Sequence, residues 1–143
     1  MTIVLDIFLF LHFLGLMFGA GGGFGSAIAM GRAAALPSEQ GDVLRSLGPV
    51  LATLSLAGLV LMLVSGVSMM VLKYDGNFAA MPQMFWVKMF FVGSLTIAAV
   101  WISITYGQVK KGDTAAAARL PRLGPMAGIS SLLATLFAVL TFH

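Results

Sequence analysis

Four apolar runs separated by short charged connections govern what this chain can fold into. They lie near Ile3–Met30, Pro49–Leu72, Met84–Tyr106 and Leu123–Phe142. Each is long enough for a helix to cross a hydrocarbon core, which takes about 20 residues. Only 9% of residues are charged and the mean hydropathy is +1.02, against roughly 25% charged residues in an ordinary soluble domain. The period-two alternation of a membrane barrel strand is missing. Backbone groups in lipid must then be satisfied inside helices. The expected fold is an all-α membrane protein of one domain, residues 1–143, with four transmembrane helices in an antiparallel up-down-up-down bundle. The helices are expected near 3–35, 43–73, 82–109 and 119–142, because short loops make sequential helices neighbours.

The loops orient the bundle. Arg32 and Arg45 lie in the first connection and Lys110, Lys111, Arg119 and Arg122 in the third, whereas the second holds only Lys73. The positive-inside bias places connections one and three in the cytoplasm and both termini in the periplasm of a bacterial inner membrane. A net charge of +3 is too small to imply nucleic acid as a partner. No signal-peptide cleavage pattern follows Met1. The chain has no cysteine, so disulfides, thiolate metal sites and cysteine nucleophiles are excluded. GAGGGFG follows an apolar span rather than a strand, which gives no phosphate-binding loop. No carboxylates are paired at helical spacing, so acid–base hydrolysis has little support.

The first run contains LHFLGLMFGAGGGFGSA, a histidine above a crowd of glycines. On a helix Gly19 and Gly23 fall within about 20° of His12 around the axis, with Ser26 and Gly15 on the same side. Steps of four extend a small-residue ridge through Gly15, Gly19, Gly23, Ala27 and Gly31. Such a ridge permits close helix packing. It would equally let a flat, bulky ligand lie against the backbone with His12 bound to it, and imidazole is a common axial ligand of haem iron. Lys88, in MFWVKMFF, sits roughly 9 Å from Pro82 along its helix, a depth comparable with the roughly 13 Å between Ile3 and His12. It either snorkels beside Trp86 or faces inward to pair with Asp6 or a porphyrin propionate. Run two aligns Ser55, Gly58, Met62, Ser65, Gly66 and Met69, and run four aligns Gly124, Gly128, Ser131 and Thr135, both as inner seams. Met69, Met70, Met84 and Met89 serve as filler or as soft ligands to haem iron or Cu(I). His143 is expected in solvent.

LHFLGLMFGAGG, VSGVSMM and FWVKM together resemble motifs of a family of small four-helix bacterial membrane proteins, the HemJ-type protoporphyrinogen IX oxidases and related copper-resistance D domains. The resemblance implies haem b held at His12, with Lys88 as a second motif position and Gly15, Gly19 and Met69 beside the cofactor. It further implies an oxidoreductase acting on a porphyrin substrate with an electron-transfer partner. The HemJ-type pattern also carries histidines late in the third helix and in the cytoplasmic connections, where this chain has ITYGQ and no histidine. The alternatives are a copper-handling protein and a non-catalytic subunit whose glycine ridge packs in a homo-oligomer or larger membrane complex.

Overall fold

The computed structural model describes residues 2–75, 77, 79 and 81–141. His143 and Met1 lie outside these residues. Within them the chain is helical: α1 Thr2–Ala34, α2 Ser38–Tyr74, α3 Gln83–Lys110, the single turn α4 Thr114–Ala117, and α5 Leu120–Thr141. Three of these, α1, α2 and α3, are long and apolar enough to cross a membrane, with hydropathies of 2.2, 2.3 and 1.9. α5 carries an apolar stretch over Met126–Leu140 among the described residues.

One element boundary differs by more than a residue from the sequence expectation. α2 begins at Ser38, well before the expected residue 43, and carries Pro49 inside it. A helix can begin so early because Pro37, at the N-cap, has a backbone suited to helix entry and the first amides lack intrahelical partners in any case. Its other end stops at Asp75, whose φ of 49° is left-handed. α1 runs unbroken through Gly21–Gly23, although consecutive glycines are poor helix formers. The glycines stay helical because one of them, Gly22, is pressed against α2.

Packing inverts the pattern of a soluble protein. Large side chains face outward: Phe10 is 65% exposed, Phe90 71% and Ile97 68%. Those buried are mostly small, among them Ala29, Ala33, Ala98, Ala134, Ser65, Thr105 and Ser130. Lipid tails supply no hydrophobic drive between helices, so association relies on close backbone approach and interhelical hydrogen bonds. The most extensive contacts are α1 with α2 and α3 with α5, while α2 with α3 and α1 with α5 meet more thinly. The protein is thus built as two closely packed pairs. In the second pair Phe91 stacks on Phe137 at 5.4 Å and Ser94 shares a 3.2 Å hydrogen bond with Ser130. The inner face of α5 accordingly includes Leu123, Ser130 and Ala134, whereas the expected seam residue Thr135 is exposed and bonds the carbonyl of Ser131 in its own helix. A Cβ at Gly128 would meet nothing within 4 Å, and for Gly124 only the helical backbone is described.

Candidate functional site

Glycine spacing decides how α1 meets α2. A Cβ at Gly15 would stand 2.7 Å from both the Gly58 carbonyl oxygen and the Met62 amide nitrogen. At Gly22 it would stand 2.6 Å from the Leu51 carbonyl oxygen and 2.7 Å from the Ser55 nitrogen. Neither position admits even alanine without moving backbone. Gly58 returns the contact by pressing on Gly19 and Gly15, and Ser55 Oγ donates a 2.8 Å hydrogen bond to the Gly19 carbonyl. As residue numbers rise on α1 their partners fall on α2, so the two helices are antiparallel.

The contact face of α1 is consequently His12, Gly15, Gly19, Gly22, Ser26, Ala29 and Ala33, in alternating steps of three and four. Gly15, Gly22, Ala29 and Ala33 are buried. This corrects the ridge expected from steps of four, because Gly23, Ala27 and Gly31 are exposed. A four-residue step overshoots a full turn by about 40°, so a ridge built of such steps winds off the partner. Alternating threes and fours average 3.5 residues and stay on it as the helices coil.

His12 stands in this seam where the run of small residues ends. Its Nδ1 lies 2.9 Å from the Met62 carbonyl oxygen and 3.1 Å from Ser65 Oγ. A carbonyl only accepts, so Nδ1 carries the hydrogen and donates it. In its neutral form the ring then keeps its lone pair on Nε2. Gly66 gives the ring room, since a Cβ there would be 3.3 Å from His12 Cε1. A backbone carbonyl holding one ring nitrogen is the usual support of a histidine whose other nitrogen binds metal.

Lys88, the other sequence candidate, is half-buried on α3. Asp6 is exposed, and among the described residues it forms no ion pair with Lys88. Trp86 is 53% exposed and meets the buried Phe85 edge to face.

The other candidates fall elsewhere. The space at Gly15 is filled by α2, and Gly19 faces α2 at ordinary contact distance, 3.8 Å from Leu59 N and the Ser55 carbonyl. Met69 is half-buried about a turn beyond Ser65 and Gly66, with no hydrogen bond to His12, and Met84 is 46% exposed. Among the described residues no three His, Cys, Asp or Glu side chains gather as a metal site. Two shallow, apolar surface depressions run along Thr96–Ile104 of α3 and Thr53–Val64 of α2. Sequence reading did not single out the Met62 carbonyl as a partner of His12. A backbone acceptor on another helix leaves no residue-type signal. No family model, curated protein or solved structure matches this chain.

Proposed function

We propose that this protein is a haem-b-binding redox protein of the inner membrane, of the HemJ-like kind, in which His12 Nε2 would hold the haem iron. Its helices form a four-span antiparallel bundle with both termini in the periplasm. The observation that carries the reading is the 2.9 Å contact between Nδ1 and the Met62 carbonyl, which leaves the Nε2 lone pair for a metal. The donor set fits: a neutral imidazole suits haem iron, and a lysine ammonium suits a propionate. Haem b, when bound, supplies one-electron chemistry. The chain's own part is to hold the ring through Met62 and Ser65, to offer a cation at Lys88, and to keep the ring among membrane helices. Gly15 and Gly19 serve by bringing α2 close enough for its Met62 carbonyl to reach His12. A porphyrin substrate and an electron-transfer partner belong to the same proposal.

An absorbance spectrum of the purified protein tests it. A Soret band, with α and β bands on reduction, is expected. A correctly assembled protein that stays colourless after expression with ample haem and after addition of haemin overturns the haem reading and favours an accessory subunit.

A further inference from the structure

We infer that Ser65 is a positioning residue that, together with the Met62 carbonyl, fixes the nitrogen His12 offers to a ligand. The consequence for binding rests on the haem reading above, whereas the choice of nitrogen stands on the protein alone. Ser65 is 1% exposed, and its hydroxyl lies 2.7 Å from the Leu61 carbonyl, a full helical turn back in its own helix. The Leu61 carbonyl is the nearer of two acceptors for the single hydroxyl hydrogen, the other being the Met62 carbonyl at 3.1 Å, and with the hydrogen on either Ser65 Oγ meets His12 Nδ1 at 3.1 Å with a lone pair. The Met62 carbonyl presents a second acceptor at 2.9 Å. Two acceptors converge on Nδ1. Were Nδ1 the unprotonated nitrogen, its lone pair would face the Met62 carbonyl oxygen at hydrogen-bond distance, and the two acceptors would repel each other. Turning the hydroxyl to donate to Nδ1 would not relieve that repulsion. The protein therefore stores the Nδ1–H tautomer before any ligand arrives, and a ligand meets a ring already in its binding form. Ser55, which also lies in the seam but bonds the Gly19 carbonyl, provides the comparison for a purely structural serine.

Nitrogen NMR of histidine-labelled, haem-free protein at about pH 8, where an ordinary imidazole is neutral, reads the tautomer directly. The expected His12 spectrum has a protonated Nδ1 and an unprotonated Nε2. Ser65→Ala should shift the Nδ1 signal and lower haemin affinity by about 10-fold, the low end of the loss seen when the support of a ligating histidine is removed, because the Met62 carbonyl remains. Ser55→Ala should leave both unchanged. A protonated Nε2 in the wild-type protein overturns the inference, as does a Ser65→Ala protein with the wild-type ring spectrum. If Ser65→Ala does not assemble, the wild-type tautomer decides. A wild-type protein that shows the Nδ1–H ring and its dependence on Ser65, yet binds no haemin, upholds this inference and refutes the haem reading instead.

Discussion

At the scale of single residues, His12 and Lys88 are separated by their expected responses. His12→Ala should abolish the haem spectrum or strongly shift it while the protein still inserts, because apolar helices cross a membrane without that imidazole. Absorbance and membrane fractionation measure the two halves. An unchanged reduced spectrum at wild-type haem content would refute ligation by His12. Lys88→Met should loosen haem retention or move its potential and leave the axial-ligand signature in place, since a point charge beside a propionate tunes binding without touching iron. A lysine that only snorkels would tolerate the change. His12 was legible in the sequence as an ionisable group within an apolar run. Its hydrogen-bond partner was not, because a carbonyl belongs to every residue and only the docking of α2 chooses Met62.

At the scale of the element, the glycines of α1 are not equivalent. Gly15→Ala and Gly22→Ala should each destabilise the protein by about 1–3 kcal/mol or more, the cost of forcing a methyl group into a filled seam. The obstructing atoms are backbone, which cannot swing aside as a side chain would. Gly31→Ala should be neutral or stabilise by up to about 1 kcal/mol, since nothing lies within 4 Å of its Cβ and alanine favours helix. Gly19→Ala should be mild at its 3.8 Å spacing, and Gly19→Leu severe. Denaturation in detergent followed by helical signal ranks these variants. A ridge of four-residue steps instead predicts that Gly15 and Gly31 behave alike. That a small-residue face existed was plain from the sequence. Which small residues lay on it was not, because Gly22 and Gly23 are adjacent and identical, and the curvature of the pair decides between them.

At the scale of the whole molecule, the two pairs can be tested separately. The chain has no cysteine, so Ser94→Cys with Ser130→Cys introduces the only thiols. The two hydroxyl oxygens are 3.2 Å apart, and oxidation should join the positions in high yield within one chain. The cross-link would be detected after cleavage of the loop between α3 and α5. A failure to cross-link under conditions that oxidise exposed thiols would contradict the α3–α5 pairing. Topology is a separate matter: a reporter fused after His143 that works only in the cytoplasm should be silent, and an active one would reverse the orientation drawn from Arg32, Arg45, Lys110 and Lys111.

The sequence by itself determined that the chain is helical and apolar, because transfer of a backbone from water to lipid leaves helix as the way to satisfy its polar groups within one segment. It also marked His12 and Lys88, since a titratable side chain among apolar neighbours is costly wherever it points. Tertiary structure alone decided which helix fills the space beside Gly15, that Asp6 does not pair with Lys88, and which His12 nitrogen carries the hydrogen. Those outcomes depend on contacts between residues about fifty positions apart, such as His12 with Met62 and Ser65. Local periodicity defines a face for each helix but not the partner, the register or the coiling that brings two faces together.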